Sequence, residues 1–212
     1  MKKVLALVAA AMLTTAAFAE KVVEVGLKGG LLLNAGTKFA DDDGFDGTKM
    51  SVGGDIGIFG HFGLAEIGSG ALSLQPELFF SFANGLKTDI GDLKLKYNSL
   101  DIAVLLGYDI PLGKARITPF LGPKVGIPLG KARGEIADLI TIMSDEEIKV
   151  KGVTVGLDFG AGFAIPLGSF VLGADIRYGI DFNKSKAEIY GEKGDFLRRG
   201  ALGINVTAGW RF

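Results

Sequence analysis

Charged side chains recur at alternate positions inside several apolar stretches of the sequence. Asp175, Arg177 and Asp181, for example, alternate with apolar residues. Successive side chains of a β-strand point to opposite faces, so these charges are predicted to share one face. Buried charges need partners, and this face therefore predicts a set of ion pairs. The charged residues with this parity are Glu24, Lys28, Asp55, Glu77, Asp101, Asp109, Lys124, Asp158, Asp175, Arg177, Asp181 and Arg211.

His61 is the only histidine. A histidine next to a nucleophile or an acid can act as a general base, so this residue is the one candidate for acid–base catalysis. Its parity places it on the same face as the charges, near one end of its strand. No nucleophile motif accompanies it, so a hydrogen-bonded structural role is favoured over catalysis. The sequence assigns no catalytic, cofactor-binding or metal-binding residue, and no cofactor is expected.

An acidic segment, 41–47, reads Asp-Asp-Asp-Gly-Phe-Asp-Gly. Carboxylate and carbonyl oxygens are the ligands that Ca²⁺ prefers. The segment lacks the spacing and the closing Glu of a recognised calcium loop, so a solvated loop is the favoured interpretation.

The alternating charges must be positioned by strands. The alternation predicts eight of them, over residues 22–34, 50–64, 72–82, 93–110, 115–127, 153–165, 170–182 and 200–212. Pro119 and Pro123 make the fifth the least secure, because proline cannot donate a ladder hydrogen bond. Asn84-Gly85 predicts a turn or loop after the third strand.

Two details at the strand ends are left open by the pattern. Leu93, Leu95 and Tyr97 have the opposite parity to the rest of the fourth strand, which predicts either a β-bulge or a part that stands clear of a membrane. A Pro-Leu-Gly motif closes the fourth strand at Gly113 and the sixth at Gly168. A third copy at 127–130 lies one strand length further on, and is therefore predicted at the opposite end.

Alternation alone fits two kinds of barrel, a soluble lipocalin-like one and a membrane one with the opposite faces. The sequence contains 33 glycines, against an ordinary usage of about 7%, and many fall on the polar face. Small residues suit a narrow lumen better than a solvated surface. Charges are also excluded from the apolar face in the last three strands, and the links alternate between long and short. A membrane barrel is therefore favoured, with Tyr108, Phe163, Phe170, Trp210 and Phe212 forming an aromatic girdle at one rim.

The amino terminus predicts export. Lys2 and Lys3 precede an apolar run, and Ala17-Phe18-Ala19 forms a cleavage site, so residues 1–19 are interpreted as a secretory signal peptide and 20–212 as the barrel domain. A membrane helix is the less favoured alternative, since the run is short. The sequence has no Cys and a net charge of −1. This balance gives no indication of a nucleic-acid partner.

The last strand, 200–212, alternates to its final residue, Phe212. This pattern, with the signal peptide and the Gly-rich polar face, resembles the small outer-membrane β-barrels of the porin-family or PorT-like type. OmpX, OmpW and the OmpA membrane domain are similar in architecture. The resemblance implies an all-β, eight-stranded, antiparallel up-and-down transmembrane barrel in a Gram-negative cell envelope. It also implies that Phe212 is an assembly signal for the barrel assembly machinery. Closure of such a barrel predicts that the last strand pairs with residues 22–34.

This resemblance predicts the fold better than it predicts the function. The favoured role is that of a non-enzymatic, monomeric outer-membrane protein, either structural or interacting through its loops, with the lumen charges acting as a plug. The alternative is a narrow, cation-preferring channel, because acids outnumber bases in the lumen. An envelope enzyme or a soluble periplasmic lipocalin-like binder is less favoured. The insert at 129–147 is too apolar for a purely solvated loop, so it either packs on the barrel or binds an external protein partner. Ser144 and Glu147 fit the cap of a short helix.

Overall fold

The computed structural model describes residues 23–35, 38–39, 48–88, 94–135, 137–138, 142, 148–189 and 192–212. Eight long strands account for most of them. They are β1 (Val23–Asn34), β2 (Ser51–Ile67), β3 (Gly70–Thr88), β4 (Lys94–Leu112), β5 (Ala115–Arg133), β6 (Thr154–Leu167), β7 (Phe170–Asp181) and β8 (Gly200–Arg211). Short strands lie between them at Lys38–Phe39, Thr48–Lys49, Lys149–Lys151, Lys186–Ile189, Glu192–Asp195 and Leu197–Arg198.

The eight long strands form a closed antiparallel barrel. Each pairs with its neighbour in the sequence, and β1 also pairs with β8 from Glu24↔Arg211 to Leu33↔Leu202. Closure leaves no long strand with an unpaired edge. The predicted fold class and the predicted partner of the last strand are confirmed.

The two faces of the wall have opposite polarity. On β8, Ile204, Val206 and Trp210 are 48%, 69% and 54% exposed, whereas Asn205 is 0% exposed. A soluble barrel would show the reverse, with apolar residues inside. The apolar residues therefore form an outward band, and the small and charged residues line the lumen.

One end of the barrel, the turn end, has short links at 68–69, 113–114 and 168–169. Gly68, Gly113 and Gly168 each have φ between +62° and +70°, as primed hairpin turns require. The predicted aromatic girdle lies here, since Phe170 pairs with Trp210 beside the 168–169 turn and Tyr108 Oη donates to the Ile67 carbonyl at 2.7 Å. The opposite end, the loop end, carries the longer links.

Strand β3 does not end where the sequence predicted. Asn84 and Gly85 lie inside it, and the register with β4 shifts between Ser81 and Asn84. Ala83 has φ +56° at this shift, and the Asn84 amide donates to Ser99 Oγ at 2.8 Å. The turn-favouring residues therefore form a β-bulge, after which pairing with β4 resumes.

Strand β5 is also longer than predicted. Pro119 and Pro123 lie within it on the outward face, and the strand continues through the third Pro-Leu-Gly copy to Arg133. That copy lies at the loop end, as predicted, but as paired strand, with Gly130 at φ +79°. The predicted insert 129–147 therefore begins five residues too early. Beyond Arg133, the described residues Glu135, Ala137, Asp138 and Ile142 are helical.

Strands β3, β4 and β5 have 19 residues each, more than the 9–11 or so that span a bilayer. Their extra residues form a loop-end extension with its own apolar core. Its buried members are Leu95, Tyr97, Ala132, Ala137, Ile148, Val150, Ala187, Phe196 and Leu197. The fourth strand thus contains both predicted features, since a register shift against β5 falls between Lys96 and Asn98 and Leu95 and Tyr97 belong to the extension.

One residue whose parity in the predicted strand 50–64 places it on the apolar outward face is hidden. Phe62 is only 2% exposed, because its ring fills the space beside Gly60 and Pro76. Within the described residues, no helix is long and apolar enough to cross a membrane. The predicted signal peptide at 1–19, the acidic segment 41–47 and the helix cap at Ser144–Glu147 lie outside the described residues.

Candidate functional site in the barrel lumen

A four-residue ion cluster crosses the middle of the lumen. Arg177 on β7 donates two hydrogen bonds to Glu77 on β3, at 2.6 and 3.1 Å. Lys28 on β1 also contacts Glu77, at 2.6 Å, and Arg177 Nε contacts Asp175 at 3.0 Å. Arg177 and Glu77 come from strands that are not neighbours, so this central cluster joins opposite walls.

Aromatic rings complete the central cluster. The Arg177 guanidinium lies 5.3 Å from the ring centres of both Phe79 and Phe120, and the Lys28 amine lies 5.7 Å from Phe79. Cations over aromatic faces are attracted to the ring quadrupole. The rings also fill space between the charges, so the middle of the lumen is both paired and packed.

A second cluster lies toward the loop end. Arg199 donates to both Asp101 oxygens at 2.9 Å, a bidentate geometry that fixes both side chains. Ser81 donates to the same Asp101 at 2.6 Å. Lys124 lies 3.0 Å from Asp181 and 3.5 Å from Asp158. This second cluster therefore contains residues of β3, β4, β5, β6 and β7, together with Arg199, which lies just before β8.

A third cluster lies toward the turn end. Arg116 donates to Glu24 at 2.6 Å, and Arg211 contacts the same carboxylate at 3.1 Å. Beyond it, toward the mouth, is a cavity of about 560 Å³ lined partly by Arg116, Arg211 and Asp109. Two cavities deeper in the lumen measure only about 40 and 50 Å³.

His61 lies where its parity predicted, near the turn end, and is 3% exposed. Its Nε2 is 2.8 Å from Asp109 Oδ2. Thr118 and Ser73 donate to the other Asp109 oxygen, at 2.7 and 3.3 Å. Both hydroxyls thus face the carboxylate and not the imidazole, whereas an activated nucleophile needs contact with its base. The arrangement orients the half-buried carboxylate of Asp109.

The lumen accommodates these charges because its glycines leave room. A Cβ on Gly179 would stand 2.5 Å from Asp158 Oδ1 and 2.7 Å from Lys124 Nζ. The absence of side chains at such positions is what allows long ionic side chains to cross a narrow barrel.

All the charges that the sequence placed on this face line the lumen. Two further arginines do so, Arg116 and Arg199, which sequence reasoning missed. Arg116 shares the parity of Thr118 and Phe120, so the alternation could have identified it. Arg199 immediately precedes the predicted last strand and therefore lies outside the alternation that identified the other charges. In the described part of the chain, no group of His, Cys, Asp and Glu side chains could hold a metal ion.

The titratable groups of the loop-end extension suit their surroundings. Burial raises the pKa of the Tyr97 hydroxyl well above its usual range, which keeps it neutral within the apolar core. The backbone N–H groups of Glu135 and Lys94 hold the pKa of the exposed Glu135 carboxyl below its usual value. Lys94 N donates to this carboxylate at 3.0 Å.

Comparison with solved structures finds several similar proteins, and the first of them shows the same fold. A major outer membrane protein from Thermus thermophilus is 15% identical, with 91% of this chain and 100% of that chain covered and a TM-score of 0.58. Neisserial surface protein A is 14% identical, covering 89% and 98%, with a TM-score of 0.47. Ail of Yersinia pestis is 15% identical, covering 89% and 98%, with a TM-score of 0.40. No curated protein matches the sequence.

A family model described as "Outer membrane protein beta-barrel domain" matches residues 4–212. It covers all eight strands and the lumen residues described above. In outer-membrane barrels the short turns are periplasmic and the longer loops external, so the turn end is the periplasmic end. The chain belongs to the outer membrane protein beta-barrel domain family and is a protein of the outer membrane.

Proposed function

We propose that the protein is a non-enzymatic structural component of the outer membrane with a closed lumen, and that it meets partners through its external loops. The observation that carries the proposal is the central cluster, in which Arg177, Glu77 and Lys28 bridge the barrel wall to wall. Ion conduction needs a continuous water-filled path, and in this barrel paired side chains occupy the middle of the lumen.

The small inner cavities support a closed lumen. A site needs about 10–15 Å³ to hold one water, so cavities of about 40 and 50 Å³ have room for a few waters each. The buried core of the loop-end extension supports closure further, since Leu95, Leu197 and Val150 pack together there.

The second candidate is a narrow cation-preferring channel. Acids outnumber Lys and Arg among the described lumen residues, which favours cations over anions in any path that opened. The acids are Glu24, Asp55, Glu77, Asp101, Asp109, Asp158, Asp175 and Asp181, and the bases are Lys28, Arg116, Lys124, Arg177, Arg199 and Arg211.

Conductance across a planar lipid bilayer distinguishes the two candidates. The wild-type protein is expected to give no discrete steps of current across the bilayer in concentrated potassium chloride. A variant with Lys28, Glu77 and Arg177 all changed to Ala is expected to conduct, which would show that the assay can detect an opened lumen. A matched control replaces the exposed pair Lys94 and Glu135 with Ala and should stay silent. Discrete, salt-dependent steps from the wild type would overturn the closed lumen.

The non-enzymatic role is supported by the geometry at His61, whose described hydrogen bond is to Asp109. His61→Gln keeps a hydrogen-bonding side chain but removes a general base. It should leave unchanged any lipase, acyltransferase or protease signal of a purified sample. A signal abolished by this change and restored with His61 would contradict the proposal.

An external protein partner is proposed for the segment 129–147. Ala137 is buried in the extension, whereas Ile142 is 82% exposed. An exposed apolar side chain on a structured extension is a suitable contact point. Ile142→Ser should weaken adhesion of the bacteria to host or neighbouring cells without changing the amount of folded barrel. Unchanged adhesion would remove this part of the proposal.

A monomer is proposed because β1 and β8 pair with each other and leave no barrel edge for a second copy. Light scattering in detergent, corrected for bound detergent, should give the mass of one chain. A dimer mass at low protein concentration would contradict it.

A further inference from the structure

The periplasmic mouth of the barrel contains the largest of the three cavities described above, with a volume of about 560 Å³. Two of the short turns, 68–69 and 113–114, surround it together with the periplasmic ends of β6 and β8. Pockets that bind small organic ligands usually measure about 300–1,000 Å³. This mouth cavity is therefore large enough for a small organic molecule, whereas the two inner cavities are not.

Two arginines form the inner end of the mouth cavity. Arg116 extends from β5 to Glu24 on β1, the opposite wall of the barrel, and Arg211 on β8 contacts the same carboxylate through Nε at 3.1 Å. The Glu24 side chain is 0% exposed, whereas that of Arg211 is 34% exposed. Both arginines line the cavity, so guanidinium groups face its interior and the Glu24 carboxylate is enclosed behind them.

Asp109 is the acid nearest to these arginines among the residues that line the cavity. One of its oxygens accepts hydrogen bonds from Thr118 and Ser73, and the other contacts His61. The acceptor positions of this carboxylate are therefore largely occupied, so it orients its neighbours and has little capacity left for a ligand.

Glu66 also lines the cavity, but at its outer rim. Glu24 is the register partner of His61 on β2, and Glu66 lies five residues further along that strand, a distance of about 16 Å. Charges this far apart at an open mouth are largely screened by salt. Between the rim and the arginines, the cavity wall includes small apolar side chains of Ala71, Ala115 and Pro166.

We propose that the mouth cavity binds a small organic carboxylate from the periplasm, with its carboxylate on Arg211 and Arg116. Guanidinium groups present N–H donors in a planar fork that matches a carboxylate, and Glu24 shows that these two arginines already hold one such group. Within the described residues Arg211 reaches Glu24 through Nε, so its terminal nitrogens are placed to hold a second. The small apolar side chains contact the body of the ligand, whether or not the lumen conducts ions.

The test uses a short peptide with a single carboxylate. The isotope-labelled barrel in zwitterionic lipid nanodiscs is titrated with N-acetyl-alanyl-alanine, and backbone amide signals are followed by NMR. Signals from 113–116 and 209–212 are expected to shift with a Kd of about 1 mM, as ordinary ligand efficiency gives for a molecule of this size. The same peptide with a carboxamide in place of the carboxylate should bind at least tenfold more weakly, since it loses a charge-assisted hydrogen bond.

Two variants locate the binding. Arg211→Gln removes the exposed charge at the inner end of the cavity and should weaken binding of the acid at least about tenfold. Ala71→Phe fills the cavity but leaves Arg116, Arg211 and Glu24 in place, and should abolish binding. The matched control, Lys94→Gln, removes an exposed cation at the loop end and should keep the wild-type Kd. The heat-shifted band on a gel checks that each variant is folded, and Ala71→Phe remains a test if Arg211→Gln does not fold.

The proposal is overturned if the carboxamide peptide binds as tightly as the acid, or if Ala71→Phe binds like the wild type. It is also overturned if Lys94→Gln loses as much affinity as Arg211→Gln. Inorganic phosphate that binds as tightly as the peptide would make the cavity a general anion site. Tight binding of alanyl-alanine amide, lost in Glu66→Gln, would instead make the ligand a cation held at the rim.

Discussion

At the scale of single residues, the lumen is stabilised by buried charges that pair with one another across the barrel. Glu77 is 1% exposed and lies between Arg177 and Lys28. Removing two charges from water costs several kcal/mol per ion, and mutual attraction offsets this only when every group is paired. Glu77 is the acceptor for both cations, so its loss leaves them with Asp175 and, for Arg177, with Asp158 at 3.6 Å.

Glu77→Ala is therefore expected to lower the free energy of unfolding by about 3–5 kcal/mol, the usual cost of leaving a buried charge unpaired. Urea unfolding of the barrel in lipid vesicles, followed by tryptophan fluorescence, measures it. The control is Glu135→Ala, whose exposed ion pair should contribute less than about 1 kcal/mol. Similar small losses for both variants would show that the central cluster is hydrated and adaptable.

Gly179 tests the crowding of the lumen. A side chain there would collide with Asp158 and Lys124, and overpacking typically costs about 1–3 kcal/mol. Gly179→Val should therefore reduce the urea midpoint. Gly194→Ala is the control, because nothing lies within 4 Å of its added Cβ. An unchanged midpoint for Gly179→Val would mean that the ion cluster moves aside without cost.

At the scale of strands, alternation was enough to predict that eight exist and which face is lumen. It depends on the contrast between lipid and lumen, which acts along the whole span of each strand. Local turn preferences were less reliable, because ladder pairing outweighed them. Asn84-Gly85 forms a bulge inside β3, and Gly130 lies within β5. Arg199 was missed because it lies one residue before β8.

The reversed parity of Leu95 and Tyr97 has a physical reason that the sequence only partly revealed. Within the membrane the outside is lipid, so apolar residues point outward. In the extension the outside is water and the inside is a small core, so the apolar residues point inward. Which distant segments build that core, such as Ala187 and Leu197, depends on tertiary contacts that alternation does not encode.

Ala83 tests the bulge of β3. It is the one non-glycine residue with positive φ in the described chain, a conformation that costs an L-residue roughly 1–2 kcal/mol. Ala83→Gly should raise stability by about 0.5–1 kcal/mol, after the greater freedom of glycine in the unfolded chain is subtracted.

The control for this prediction is Ala71→Gly, the same change at a regular strand position, which should lower stability by about 0.5–1 kcal/mol. Urea midpoints in vesicles compare the two. Changes of the same sign at both positions would show that the bulge stores no strain at Ala83.

At the scale of the whole molecule, the barrel depends on contacts between residues far apart in the sequence. β1 and β8 close the wall, and Arg177–Glu77 and Arg199–Asp101 join sites 100 and 98 residues apart. None of these contacts can form until most strands are in place. Folding and insertion should therefore be cooperative, and the step that brings β8 to β1 is decisive for assembly.

Deletion of Phe212 is expected to impair assembly of the barrel but not its stability. Phe212 is 79% exposed, and its N–H donates to the Val23 carbonyl at 3.0 Å across the seam. Deleting it removes one hydrogen bond, worth about 1 kcal/mol, so a purified variant refolded in detergent should keep nearly the same urea midpoint.

In cells, the last strand resembles an assembly signal, so deleting Phe212 is expected to reduce the amount of folded barrel in the outer membrane several-fold. Export, which the predicted signal peptide 1–19 would direct, should be unaffected. Heat-modifiable protein in the membrane fraction measures assembly, and processed chain in the periplasm measures export.

Phe212→Tyr is the control, since it keeps the aromatic ring and should assemble normally. An unchanged membrane yield on deletion would show that Phe212 is not a signal, and a large loss of stability in detergent would assign it a structural role at the seam.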